Sequence, residues 1–290
     1  QERAVVQDQP QPVAGTRDDL LWLVQEYEIH KGILAITRAD HIHPDLFRSL
    51  MACYELGVDV SLMVRQYEKL TGRVPVEHIG HQLYGLLPLS YSPVRPLYQM
   101  GTRLINLVCA GVGLAGLGLA LPVIALLIRL DSPGPIFFRQ TRVGKGGRLF
   151  PVLKLRTMRQ DAERPGEARW ARKDDHRVTR FGRWARKTRL DEVPQLWNVF
   201  KGEMNLVGPR PERPELVCEL QAQIPFYRNR HAVKPGITGW AQVNQGYTNS
   251  VGDTLVKLQY DLYYIKYRSF ALDLIILAKT LGTILSFSGV

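Results

Sequence analysis

Acidic side chains are in short supply: 27 Asp and Glu stand against 38 Lys and Arg over 290 residues, giving a formal net charge of +11. That imbalance calls for an anionic partner, whether nucleic acid, phospholipid headgroups or a nucleotide-phosphate substrate, and charge alone does not choose among them. Cysteine is scarcer still. Cys53, Cys109 and Cys218 are odd in number, widely spaced and without a Cys-x-x-Cys pair, which excludes a disulfide framework and a zinc cluster and fits a reducing, cytosolic setting. The chain opens Gln1-Glu2-Arg3 with neither an initiator Met nor a signal-peptide pattern, as expected of a sequence that begins partway through a longer protein. What is present in quantity is apolar: 45% hydrophobic residues argue against wholesale disorder, and the length allows two modest domains.

Residues 1 to about 17 are rich in Gln, Pro and Val without a period and read as a flexible lead. From Asp18 an alternation appears: a helix over Asp18 to Tyr27, a strand over Gly32 to Ile36, a helix over His43 to Glu55 ended by Gly57, and a strand over Val58 to Val64. This is half of a doubly wound α/β unit. Residues 18–80 carry no Gly-x-Gly-x-x-Gly, so nucleotide binding is not expected there. Pro88 to Pro96, with scattered Ser and Pro, reads as a linker.

Beyond it, Leu104 to Ile128 contains no charged residue and only Asn106 as a strongly polar one. As a straight helix these 25 residues would reach about 37 Å, enough to span a hydrocarbon core of roughly 30 Å. Two features favour a segment that enters and returns. Pro122 inside the run removes a backbone hydrogen bond and crowds the Gly118 carbonyl, so a kink or break is expected. Both flanks are basic, with Arg103 before and Arg129, Arg139, Arg142, Lys145 and Arg148 after, which draws both ends to the cytosolic face.

A hairpin is expected next, with strands Ile136 to Gln140 and Phe150 to Arg156 joined by the turn at Gly144 to Gly147. Lys154 and Arg156 would share one strand face, either as a binding surface or as a solvated cationic one. From Arg164 to Arg189 basic residues alternate with Trp170, Phe181 and Trp184. Such a stretch suits single-stranded nucleic acid or anionic headgroups equally, and the apolar run upstream favours the membrane over nucleic acid.

Most of the chemistry lies in Thr188-Arg189-Leu190-Asp191-Glu192-Val193-Pro194-Gln195-Leu196-Trp197-Asn198. Leu190, Val193, Leu196, Trp197 and Phe200 recur at helical spacing, with Thr188 as the expected N-cap and Asp191 three residues on. Adjacent side chains diverge by about 100° on a helix, so Asp191 and Glu192 need not do the same job. One could attack a phosphorus, as aspartyl-phosphate enzymes do, while the other holds a metal. Magnesium is the natural ion, since it takes one or two carboxylates plus substrate phosphate oxygens. Taken alone, such a pair most often caps a helix. Downstream, Arg210 sits on a rigid Pro-Arg-Pro element, where it suits either a phosphate or a salt bridge with Glu212 or Glu215. Lys234 to Asn244 forms a tight loop offering Trp240, Gln242 and Asn244 for stacking or hydrogen bonding.

These blocks resemble the bacterial sugar transferases, the monotopic phosphoglycosyl transferases that load a sugar phosphate onto a polyprenyl phosphate. The resemblance covers roughly residues 98–285 and rests on Leu190-Asp191-Glu192, Pro194 to Asn198, Gly208-Pro209-Arg210-Pro211-Glu212 and Lys234 to Asn244. It implies a partial Rossmann-like structural or regulatory domain over 1–87, a linker over 88–97 and a membrane-associated α/β catalytic domain over 98–290. A re-entrant helix would occupy about 103–129, with interfacial helices toward the C-terminus. The family's Ser-Pro bend reads Leu121-Pro122 here, and Thr141 stands where a Glu is common. On this reading Asp191 is the nucleophile, Glu192 helps bind Mg²⁺, and Arg210 contacts phosphates. Lys154 and Arg156 lie beside the site, and Trp240, Gln242 and Asn244 belong to the nucleotide-sugar pocket. The expected partners are a UDP-sugar, undecaprenyl phosphate and membrane lipids on the cytoplasmic face of a bacterial inner membrane, with dimer contacts through the N-terminal fragment. A Mg²⁺-dependent diphosphate hydrolase and a non-enzymatic membrane adaptor are the competing readings.

Overall fold

The computed structural model describes residues 13–35, 43–76, 96–159, 177–246 and 250–285. The chain divides into two compact units, residues 1–87 and 88–290. Most of the expected linker, the first half of the basic stretch with Trp170, and the lead before Val13 lie outside the described residues.

In the first unit, helix α1 (Leu20–Glu26) leads into strand β1 (Lys31–Leu34), helix α2 (Pro44–Glu55), strand β2 (Asp59–Leu62) and helix α3 (Met63–Thr71). β1 and β2 pair in parallel, Lys31 opposite Asp59 through Leu34 opposite Leu62, across the α2 connection. α2 starts where its signals say it should: His43 accepts from the Asp45 amide at 3.3 Å and Pro44 takes the first turn. Val24, Cys53 and Val58 make the small core. The strand expected to reach Val64 stops at Leu62, and the chain turns at once into α3. Gly72 closes that helix in the left-handed region at φ 65°.

The second unit is built on helix α4 (Pro96–Asp131), whose 36 residues correspond to a length of about 54 Å. Its most apolar window has a mean hydropathy of 2.4 and is only 17% buried, so it is long and apolar enough to cross a membrane. It begins earlier than the apolar run alone suggests, and Pro122 lies inside one continuous helical assignment, so the chain is not broken there. Packing explains the continuity. Leu117 before the proline and Ile124 and Ile128 after it enter one cluster with Leu155, so both halves pack on the same neighbours. Leu104, Val108, Val112, Leu119, Val123 and Leu126 are more than half exposed.

Inside its apolar run, Asn106 anchors this helix. Asn106, 2% exposed, donates to Asn205 Oδ1 at 3.0 Å and accepts the Leu206 amide at 3.1 Å. Asn106→Leu would strand both partners in the interior, a cost of roughly 1–3 kcal/mol. We expect a lower melting temperature in detergent for this variant, with no gain from the added apolar surface.

After α4, strands β3 (Phe137–Val143) and β4 (Leu149–Leu155) form an antiparallel hairpin, Phe137 facing Leu155 and Val143 facing Leu149. Both strands fall within a few residues of their expected positions, and Gly146 and Gly147 take positive φ in the turn. Helix α5 (Arg180–Lys187), a 3₁₀ turn (Leu190–Gln195), helix α6 (Leu196–Lys201) and strand β5 (Asn205–Val207) follow. Helix α7 (Pro214–Gln223), a 3₁₀ turn (Tyr227–Ala232), strand β6 (Gly236–Thr238) and helices α8 (Trp240–Asn244), α9 (Val251–Tyr267) and α10 (Phe270–Leu285) complete the unit. β5 and β6 pair in parallel, and their glycines are there for contact. A Cβ on Gly236 would lie 2.1 Å from the Gly208 amide nitrogen, and one on Gly239 would lie 2.2 Å from the Gly208 carbonyl oxygen. The Gly208-Pro-Arg-Pro and Lys-Pro-Gly-Ile-Thr-Gly blocks are therefore two halves of one close backbone crossing.

Candidate active site

The carboxylate pair sits at a break between two helices. α5 is capped by Thr179, which accepts the Gly182 amide at 3.0 Å. It ends at Thr188, whose hydroxyl donates back to the Trp184 and Ala185 carbonyls at 3.1 and 3.2 Å. Thr188 thus closes one helix instead of capping the next. Arg189 then takes a left-handed conformation at φ 58°, uncommon for a residue with a side chain. This reversal starts the 3₁₀ turn that presents Asp191 and Glu192, 8% and 6% exposed. Asn198 ties the following helix to the hairpin, accepting the Leu153 amide at 3.1 Å and donating to the Pro151 carbonyl at 2.8 Å.

The two acids have different company. Glu192 Oε1 accepts from Lys154 Nζ at 3.2 Å and from Arg210 Nη2 at 2.6 Å, and Arg189 lies 3.8 Å from Oε2. Burial opposes its charge, but Arg210 and Lys154 prevail and hold the carboxyl well below the usual carboxylate range. Asp191 makes no hydrogen bond or ion pair among the described residues. Burial and the adjacent Glu192 push its pKa up, partly offset by Lys154, Arg186 and Arg210 acting through space. Burial likewise lowers Lys154, against the pull of Glu192. Arg210 is raised chiefly by Glu192. The result is one clamped carboxylate and one unclamped carboxylate, inside a cationic shell drawn from three separate segments.

The structure brings together Asp191, Glu192, Lys154 and Arg210. Among the described residues, Arg210 pairs with Glu192 and not with Glu212 or Glu215. Arg156 goes elsewhere: it donates to the Ile128, Ser132 and Pro133 carbonyls at 3.4, 2.5 and 2.8 Å, which closes the C-terminal end of α4. Trp240 packs in the cluster of Val207, Tyr264 and Ile276, stacks on Tyr263 at 6.0 Å and carries Lys279 over its ring at 4.8 Å. Gln242 donates to the Ile237 carbonyl at 3.1 Å. Asn244 donates to the Trp240 carbonyl and accepts from Lys279, at 2.8 and 2.7 Å. These contacts stay within the β6–α8 segment and its packing on β5, α9 and α10. Of the arginines seen in the sequence only as part of a basic stretch, Arg189 lies 3.8 Å from Glu192 Oε2, while Arg186 donates to Thr157 Oγ1 at 3.0 Å and acts on Asp191 through space. Their register with Asp191 was the available signal.

No group of three or more His, Cys, Asp or Glu residues capable of holding a metal occurs among the described residues. Among the described residues, the donor set offers the Asp191 carboxylate and Glu192 Oε2, whose one ion-pair partner there is Arg189 at 3.8 Å. Such a set fits a magnesium ion shared with substrate phosphate oxygens and does not fit an all-protein cage.

Residues 97–287 match the family model described as bacterial sugar transferase. The chain is 41% identical over 261 residues to a UDP-N-acetylgalactosamine-undecaprenyl-phosphate N-acetylgalactosaminephosphotransferase of Aeromonas hydrophila, covering 90% of this chain and 60% of that protein. It is 34% identical over 283 residues to a UDP-glucose:undecaprenyl-phosphate glucose-1-phosphate transferase of Xanthomonas campestris pv. campestris, covering 94% and 57%. A protein of the same description from Caulobacter vibrioides is 41% identical over 207 residues, covering 71% and 77%. The chain thus spans little more than half the length of the first two.

Proposed function

The chain belongs to the bacterial sugar transferase family, and from that premise we propose that it moves a sugar 1-phosphate from a UDP-sugar to undecaprenyl phosphate by way of Asp191. The observation that carries this reading is the contrast between the two acids. A nucleophile needs a free lone pair and a cationic surrounding for the phosphates it approaches, and among the described residues Asp191 has both. Glu192, held by Lys154 and Arg210, keeps those cations aimed at the same spot.

In the first half-reaction an Asp191 carboxylate oxygen bonds to the β-phosphorus. The bond from that phosphorus to the oxygen bridging the two phosphates breaks, and UMP leaves with the bridging oxygen. In the second, a phosphate oxygen of the polyprenyl phosphate attacks the same phosphorus, Asp191 departs as carboxylate, and a polyprenyl diphosphate sugar is formed. Lys154 and Arg210, with Arg186 and Arg189 nearby, offset the charge of the diphosphate. Glu192 would help hold Mg²⁺, which when bound neutralises phosphate oxygens.

The exposed apolar face of α4 supports work at a membrane, on the cytoplasmic face of the bacterial inner membrane in our reading, with Pro122 as the bend of a re-entrant segment. Trp240, Gln242 and Asn244 would border the nucleotide sugar. The parallel β1–α2–β2 unit is consistent with a fragment of a Rossmann-like domain, whose proposed role is structural or regulatory and which could serve a homodimer. The product would be the first lipid-linked intermediate of a surface polysaccharide. The relatives' names differ in the sugar, so the donor must be found by trial. UMP release from a panel of UDP-sugars in Mg²⁺, with and without undecaprenyl phosphate, should show one sugar turned over only when the lipid is present. Release that ignores the lipid would mean hydrolysis and would overturn the proposal.

A further inference from the structure

Arg210 reaches Glu192 from a strap with no helix or strand of its own, Pro209-Arg210-Pro211-Glu212. Its four consecutive carbonyls are all occupied from outside. The Gly236 amide donates to Pro209 at 3.0 Å, Arg230 Nη2 to Arg210 at 3.0 Å, Arg142 Nη1 to Pro211 at 3.2 Å and the Val143 amide to Glu212 at 2.9 Å. The pin on Arg210 itself is a buried guanidinium. Arg230 is 3% exposed and directs Nε and Nη2 to Asp261 Oδ2, at 3.1 and 2.8 Å, and Nη1 to the Tyr227 hydroxyl at 2.8 Å. Asp261 is 1% exposed. Glu212 closes the group, paired with Lys257 and lying 3.7 Å from Arg230 and 3.8 Å from Arg142.

Buried ion pairs add little net stability over an apolar replacement. This one instead does a geometric job: the three bonds to Asp261 and Tyr227 fix the plane of the guanidinium, and that plane delivers one N–H to the carbonyl of the residue that clamps Glu192. We propose that Arg230, seated on Asp261 and Tyr227, is a positioning residue for the transfer, setting the place from which the Arg210 guanidinium acts. The inference rests on the reading of Arg210 as the phosphate-facing cation of the Asp191 site.

A cycle of Arg210→Lys, Arg230→Lys and the double variant tests it, with kcat and the UDP-sugar KM measured alongside melting temperature. A lysine at 230 keeps the charge opposite Asp261 but cannot serve Asp261, Tyr227 and the Arg210 carbonyl together. Arg230→Lys should lose roughly tenfold to a hundredfold in kcat/KM, as displaced catalytic groups do. The loss should divide between kcat and KM as in Arg210→Lys, and the double variant should be no worse than Arg210→Lys alone. Tyr227→Phe, which removes one of those three bonds, should show the same pattern in smaller measure and covers the case in which Arg230→Lys does not fold. Tyr98→Phe, losing its 2.7 Å bond to Asp273, serves as a destabilised control expected to keep its KM. Losses that multiply in the double variant, or an Arg230→Lys enzyme that behaves like the Tyr98→Phe control, would show that Arg230 only supports the fold. If Arg210→Lys itself leaves transfer unchanged, the reading of Arg210 fails and this inference goes with it.

Discussion

Asp191→Asn should lose transfer by about 10³-fold or more and yet melt at a higher temperature than the parent. The two effects share one cause. Asp191 is buried, unclamped and next to another carboxylate, which raises its pKa in the folded state. An acid whose pKa is raised by folding destabilises the fold when charged. The penalty is present at neutral pH, shrinks once pH falls below the folded pKa, where the native carboxyl takes up its proton, and is gone below the unfolded carboxylate value. The neutral amide removes that penalty, so melting curves recorded without magnesium should show a gain of a few degrees at neutral pH that shrinks toward acid. A variant that is inactive and unstable would say that Asp191 is a structural group. One that remained active would dispose of the nucleophile assignment.

Glu192→Gln should move stability the other way. Its carboxylate is the shared acceptor of Lys154 and Arg210, whose side chains are 21% and 31% exposed, and the amide leaves both without their counter-charge. Losing the shared charge of this partly exposed cluster costs about 1–3 kcal/mol, which for a unit of this size lowers the melting temperature by roughly 2–12 °C. Because the folded pKa of Glu192 is depressed, its contribution is present above the unfolded carboxylate value of about 4.3 and is lost only as pH falls further toward its folded value. The difference between parent and variant should therefore hold across the neutral range. Activity should fall as well, since the cations lose the group that keeps them aimed. Neighbouring acids with opposite effects on melting and the same effect on turnover would separate the attacking group from the holding one.

Much of this site was legible in the sequence because its blocks are local. The Leu190-Asp191-Glu192 run, the Pro-Arg-Pro strap and the hairpin bracketed by Gly144 to Gly147 each announce themselves within a few residues. Thr188 misled because a Thr three residues before an Asp is the pattern of a capping box, and nothing local reveals that Arg189 turns left-handed between them. Helix α3 was hidden by the apolar run Val58 to Val64, although Gly72 after Leu70-Thr71 was a stop signal. Arg156 could not be told from Lys154 by spacing, since what separates them is whether the end of α4 or Glu192 lies within reach. The Arg230–Asp261 pair joins positions 31 apart in sequence on two elements whose packing follows from the whole fold.

Strand β4 carries Lys154 to Glu192, while the next residue, Leu155, fills the cluster against Leu117, Ile124 and Ile128 of α4. The cation that pairs with Glu192 and a helix anchor thus occupy successive positions of one short strand. On the proposed reading, a repacking of α4 through this strand would also shift Lys154 and so disturb the transfer. Diversification in donor or membrane should therefore accumulate away from β4, on surfaces where a change in one function is not also a change in the other.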